Sequence, residues 1–224
     1  MQKPAEKYLV QKLAAFLNSR ETDSGVHQIL NAGAGQSTSI EQQLTQAGCK
    51  YVCDRVDIEN CNVDFPTVRK CWQCPIEDMK PVESGRYVAV FSNYVLEHIE
   101  NLRWASQSIY RVLAPEGVFV ATVPNTLAPE FILARHTSLW FHKLLRQGHA
   151  WETRYAYHSI PDLLNFFLAA GFQVEDVRYW SFVEQYLWKY PVAGSLGKLY
   201  DRLISIVGYK RFMGDVCFMI NKPS

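Results

Sequence analysis

Residues 26 to 37, VHQILNAGAGQS, pass from a short apolar run into a glycine turn, and the next apolar run closes on Asp57. After Ile29 and Leu30 the chain has to turn sharply, and Gly33 and Gly35 lack the Cβ that would hold backbone and ligand apart. The stretch TSIEQQLTQAG that follows has the spacing of a helix, whose unpaired first N–H groups face the same space and favour a negative group such as a carboxylate or phosphate. Asp57 lies twenty-two residues beyond Gly35, where open α/β folds place an acid for two ribose hydroxyls. Together these features describe a nucleotide-binding crevice in a parallel sheet. The glycine pattern is incomplete, GAGQST in place of GxGxxG, so taken alone it also fits an ordinary strand-to-helix turn.

Composition narrows the field. With 224 residues, 48% apolar and 20% charged, the chain has the makeup of one globular domain over residues 1–224, able to bury a sizeable core. A formal net charge of +1 and the lack of any dense Lys/Arg block argue against a nucleic-acid partner. Charges interrupt every apolar stretch well short of the roughly 20 residues a membrane span needs, so no span is expected. The opening MQKPAEKYLVQKLAAFLNSRETDSG carries charges within its apolar part and reads as an amphipathic helix over about residues 5–18 rather than a signal peptide, which points to the cytoplasm. Cys49, Cys53, Cys61, Cys71 and Cys74 crowd into one stretch, the last two as CWQC. A zinc site would show a second CxxC or a spaced histidine pair, so buried thiols are the better reading and no metal is expected.

The runs HQILNA, KYVCDRVDI, RYVAVFSN, GVFVATV, FQVEDVRYW and DVCFMIN are short and rich in β-branched or aromatic residues, as strands are. Helical spacing fills most of the gaps. RWASQSIYRVL, residues 103–113, sets Trp104, Ser108, Ile109 and Val112 along one side, with Pro115 as the stop. SIPD offers a capping box with Ser159 at the cap, and Gly171 ends that helix. Such alternation predicts a doubly wound α/β fold, a mostly parallel sheet with helices on both faces. Excursions at about 125–158 and 180–213 stand out as elaborations.

From Tyr87 the sequence reads YVAVFSNYVLEHIENLRWASQSIYRVLAPEGVFVATVPN. It resembles the class I S-adenosylmethionine-dependent methyltransferases, in particular the group with VLEH after the fourth strand and RVLxPGG before the fifth. The likeness covers about residues 26–178 in the right order: glycine turn, acid, the pair Glu77 and Asp78, VLEH at 95–98, RVLAPEG at 111–117 and AAGF at 169–172. The resemblance implies a seven-stranded Rossmann-like sheet and S-adenosylmethionine as cofactor. It implies that Asn31, Gly33, Gly35 and Gln36 line the methionine end of the cofactor, that Asp57 holds the ribose, that Ile76 and Glu77 flank the adenine, and that Asn93 sits beside the sulfonium. Asp54 is the rival ribose ligand, but it falls on the opposite face of its strand from Asp57. The chain departs from the family pattern at Asn31, usually an acid, at Ser37 and Glu116, usually glycines, and at Pro75, where an acid often meets the adenine amino group.

Methyl transfer from a sulfonium needs a placed nucleophile and a group to take any leaving proton. His98 is the base candidate, although a histidine there also suits a cap or a loop contact. Relatives that methylate phenolic oxygens bind a divalent metal with two acids and this histidine; Tyr94 replaces one of the acids here. His149, Arg154, Tyr157 and His158 are candidate acceptor contacts. The aromatic, mildly basic stretch after Trp180 suits a lipid-linked acceptor or a peripheral membrane contact, and equally a core or dimer contact. The expected activity is methylation, favouring oxygen, of a small-molecule, glycan or lipid-linked acceptor. A cofactor-binding protein that has lost catalysis is the alternative, and VLEH and RVLAPEG argue against a dinucleotide oxidoreductase.

Overall fold

Strand-like and helical runs alternate along the computed structural model, which describes residues 3–21, 25–129, 131, 154–187 and 191–224. Seven strands form one sheet: β1 (His27–Ala32), β2 (Tyr51–Asp57), β3 (Val68–Gln73), β4 (Tyr87–Asn93), β5 (Leu113–Pro124), β6 (Gln173–Trp180) and β7 (Asp215–Asn221). Their spatial order is β3-β2-β1-β4-β5-β7-β6. Neighbours pair in parallel from β3 to β5, and β7 runs antiparallel between β5 and β6. The carboxyl ends of β1, β2, β4, β5 and β6 therefore share one edge, where the strand order also reverses around β1 and β4.

Residue alternation along the central strands explains the two cores. Ile29, Ala89, Phe91, Val118 and Val120 face one way, onto α1 (Pro4–Ser19) and α2 (Ser39–Gln46). Leu30, Val90, Phe119, Ala121 and Val123 face the other way, onto α3 (Leu102–Val112) and α4 (Ile160–Ala169). Strands buried on both faces read as continuous apolar runs, which is how these appear in the sequence. Helix α1, expected over about 5–18, begins at Pro4 and ends at Ser19. It is fastened to β6 by Lys12, 2.8 Å from Asp176, and by a hydrogen bond from Tyr8 to the same carboxylate. At the start of α4, the Ser159 hydroxyl accepts from the Asp162 N–H, as the capping pattern predicts.

Two expectations need correction. Strand β3 is absent from the runs picked out by apolar character, because VRKCWQ lies at the sheet edge with most side chains partly or fully exposed. Trp104 is not on the packed side of α3: it is 59% exposed, and Leu102, Ala105, Ile109 and Val112 are buried instead. One family departure has a visible cost. Glu116 takes φ +58°, a left-handed conformation that glycine adopts without strain. Of the two excursions, the first falls mostly outside the described residues, and the second contains α5 (Glu184–Leu187) and α6 (Pro191–Val207).

Phe167 is fully buried and stacks on Phe119 at 5.3 Å. Phe167→Ala should cost about 3–5 kcal/mol in denaturant unfolding, whereas Trp104→Ala should stay within about 0.5 kcal/mol. Glu116→Gly should raise stability by about 1 kcal/mol.

Candidate active site

The glycine turn is anchored from behind. Gly33 and Ala34 both donate their N–H to the Val56 carbonyl, at 2.8 and 3.1 Å, so the turn is tied to the end of β2. Gly33 has φ +79°, and a Cβ placed on it would lie 2.4 Å from Val95 of the VLEH motif. No other residue fits there. Gly35, at φ +54°, is the opposite case: a Cβ there would meet no atom within 4 Å, so this stretch of backbone borders open space.

Asp57 stands at the rim of that space. Its Oδ2 accepts from Gly35 N–H at 2.8 Å and its Oδ1 from Glu59 N–H at 2.9 Å. Each carboxylate oxygen retains a lone pair, enough to accept from two vicinal hydroxyls. Asp54 occupies a different place: it is buried, bound by the Arg69 guanidinium at 2.8 and 3.1 Å and by the Tyr87 hydroxyl at 2.8 Å. The Cys74 N–H donates to the Asp57 carbonyl at 2.9 Å, which brings the turn Ile76–Asp78 beside Asp57. Ile76 is buried, and the Glu77 carbonyl accepts from the Ser108 hydroxyl. Gln36 is exposed and donates to the Asn60 carbonyl.

Asn31 does not face the open space through its amide. That group is buried and donates to Glu41 Oε1 at 2.8 Å. Glu41 in turn lies 3.5 Å from Arg55 Nε, and both side chains are wholly shielded from solvent. The far end of Arg55 donates to the carbonyls of Ala34 and Ser37, at 2.8 and 2.6 Å, so a buried cation grips the glycine loop on both sides of Gly35. Sequence reasoning missed this clamp. The signal was present as a charged residue inside the strand YVCDRVD.

At the end of β4, the Thr122 hydroxyl donates to the Asn93 side-chain oxygen at 2.6 Å. Tyr94 follows at φ +55°, and its hydroxyl donates to Asp215 Oδ1 at 3.0 Å. Asp215 is buried, its Oδ2 has no hydrogen-bond partner, and burial pushes its carboxyl above the usual range while Lys3 and Tyr94 pull it back. Lys3 of the N-terminal segment lies 3.8 Å from Asp215 and 3.8 Å from the centre of the Tyr94 ring. The side chain of His98 is partly exposed, with Nε2 4.0 Å from Glu97 Oε1.

The acceptor candidates separate. Arg154 and Tyr155 donate their N–H groups to the Glu97 carbonyl, which lays this segment along the VLEH turn, and the Arg154 guanidinium pairs with Glu100 at 2.7 Å. Tyr157 is a core residue whose hydroxyl is spent on the Pro124 carbonyl at 2.9 Å, which corrects its reading as an acceptor contact. His158 is exposed, and its backbone is engaged by Thr126 and Asp162. His149 lies outside the described residues. Among the described residues no three potential metal ligands gather. Burial and a hydrogen bond with Cys61 push the Cys71 thiol up to about 12, which leaves it little thiolate character near neutral pH.

Residues 30–121 match a family model described as a methyltransferase domain. That stretch runs from β1 into β5 and includes the glycine turn, Asp57 and the VLEH turn. Among solved structures, a geranyl diphosphate C-methyltransferase from Streptomyces coelicolor A3(2), crystallised with Mg2+, a substrate analogue and S-adenosyl-L-homocysteine, has a TM-score of 0.62 at 17% identity, covering 96% of this chain and 76% of that one. A phosphoethanolamine N-methyltransferase 2 from Haemonchus contortus, in complex with S-adenosyl-L-methionine, gives 0.61 at 15%, covering 97% and 53%. The YcgJ protein from Bacillus subtilis gives 0.60 at 15%, covering 97% and 99%. At these identities the likeness establishes the fold. A search of curated protein sequences finds no match.

Asp57→Ala should weaken S-adenosylhomocysteine binding by about 1.5–3 kcal/mol, the worth of hydrogen bonds to a charged group, read by calorimetry. Asp54→Ala should leave that affinity near its starting value and instead lower the unfolding free energy. Glu41→Gln strands Arg55 as a buried unpaired charge and should cost about 3–5 kcal/mol of stability.

Proposed function

We propose that this chain binds S-adenosylmethionine across the glycine turn and transfers its methyl group to a hydroxyl of a small molecule, free or carried on a glycan or lipid. The observation that carries the reading is the cradle at Gly35: bare backbone bordering open space, with the Asp57 carboxylate held against it at the carboxyl edge of the sheet. When bound, the cofactor supplies a methyl group already activated by the positive sulfonium. The protein's own work is then placement and proton removal.

In this reading Gly33 and Gly35 let the backbone approach the methionine end, with Gln36 beside them, and Asn31 acts from behind the turn through Glu41. Asp57 accepts from the ribose hydroxyls, and Ile76 and Glu77 border the adenine. Asn93, fixed by Thr122, stands at the end of β4 next to the reacting centre. His98, with Nε2 4.0 Å from Glu97 Oε1, takes the acceptor's proton. The fold itself does not choose the atom methylated, since its relatives include enzymes named for carbon and for nitrogen. Oxygen is favoured here because a hydroxyl needs a base, whereas a neutral amine attacks without one. Arg154, laid along the VLEH turn, and His158 are the acceptor contacts of this reading among the described residues.

Calorimetry should give binding of S-adenosylhomocysteine and none of NAD; the reverse result would falsify the cofactor assignment. With an acceptor found by screening a library for S-adenosylhomocysteine release, His98→Gln should lower kcat by about 100-fold and leave S-adenosylhomocysteine affinity unchanged. A drop in affinity alone would assign His98 to the loop instead.

A further inference from the structure

Helix α6 presents an unusual outer surface. Val192, Leu196, Leu199, Leu203 and Ile206 recur at intervals of four and three residues, Val207 follows directly, and all are exposed, from 52% at Leu203 to 82% at Ile206. On a helix of 3.6 residues per turn these positions fall within one stripe about 100° wide. The opposite side is the one that meets the protein. Gly197 packs so closely on α5 that a Cβ would lie 3.1 Å from the Glu184 backbone, and Asp201 accepts from the Ser181 hydroxyl and from the N–H groups of Val183 and Glu184. The helix is therefore fixed with its apolar stripe turned outward.

What borders the stripe identifies its occupant. Between residues 191 and 214 the charges are Lys198, Arg202, Lys210 and Arg211 against the single acid Asp201, which is turned inward on the hydrogen bonds just named. All four cations are exposed. Beyond the helix, Tyr209 and Phe212 are exposed as well, their rings 5.4 Å apart. An apolar stripe flanked by cations and closed by aromatics is complementary to a lipid surface with anionic headgroups. A second copy of the same face would set cation against cation. With 17 residues α6 is about 25 Å long, and among the described residues no helix is long and apolar enough to cross a membrane. A helix of this kind lies in the plane of the surface.

We propose that α6 and the turn after it dock this protein on anionic lipid bilayers. The excursion leaves the sheet at Trp180 and returns at Asp215, which pair with each other, and Asp215 also pairs with Pro124 at the carboxyl end of β5. Docking through α6 thus sets the edge of the sheet that bears the glycine turn near the lipid. The assignment stands whatever the methyl acceptor proves to be.

The test is co-sedimentation of the full chain with vesicles made from equal parts phosphatidylglycerol and phosphatidylcholine, compared with phosphatidylcholine alone. Binding is expected to the mixed vesicles, weakened by high salt, and many-fold lower to phosphatidylcholine. Lys198→Ala with Arg202→Ala should lower vesicle affinity roughly 25-fold, from about fivefold for each charge removed near the surface. Leu199→Ser with Ile206→Ser should abolish binding. Both pairs change exposed side chains, so circular dichroism and S-adenosylhomocysteine calorimetry should match the parent chain, and these readouts also keep a failure of docking distinct from a failure of the cofactor reading. Absence of binding to the mixed vesicles overturns the proposal. So does a concentration-dependent dimer in analytical ultracentrifugation that Ile206→Ser dissociates while vesicle binding persists unchanged, because the stripe would then serve a second copy.

Discussion

A guanidinium with no access to water organises the binding edge of this fold. Arg55 reaches from the middle of β2 to the carbonyls of Ala34 and Ser37, and Glu41 on α2 stands beside it as the counter-charge. Taking both ions out of water costs several kcal/mol each, and the geometry only partly recovers it, since Arg55 Nη1 and Glu41 Oε2 lack hydrogen-bond partners. An apolar pair of the same volume would serve stability as well or better. What it would not do is grip two carbonyls of a loop that, at Gly33 and Gly35, has no side chains by which to be held. The position of Gly35 N–H, and through it of Asp57, follows from that grip.

A second constraint links parts of the chain sixty residues apart. Because Val95 fills the space where a Cβ of Gly33 would be, the glycine turn and the VLEH turn close on one another like a tongue in a groove. A change in one presses directly on the other. The segment at Arg154 and Tyr155 then hydrogen-bonds to the Glu97 carbonyl, so a third stretch of chain takes its place from the second.

Local signals made much of this legible in advance. Apolar runs bounded by glycine mark six of the seven strands, Ser159 marks the start of α4, and the glycine turn, VLEH and RVLAPEG fall within residues 30–121, the stretch that matches a methyltransferase-domain model. The misses have physical causes. Strand β3 lies at an edge and needs no apolar alternation, and the aromatic bulk of Trp104 suggested burial where the smaller Ala105 does the packing. The hydroxyl of Tyr157 looked like a ligand contact, but it satisfies a buried carbonyl. The Tyr94–Asp215 contact joins residues 121 apart through an antiparallel strand, a separation that no periodicity reports. Arg55 was visible as an oddity, though its partners depend on the fold of a loop twenty residues upstream.

The antiparallel setting of β7 makes the joint between β6 and β7 tolerant of length. Since Trp180 and Asp215 face each other across adjacent strands, whatever chain joins them begins and ends at the same spot on the sheet. Closing such a loop costs only about 0.6 kcal/mol more for each doubling of its length. The segment can therefore be lengthened or shortened while β6 and β7 keep their register. The sheet and its glycine turn are thereby insulated from changes of length in the segment that joins β6 to β7.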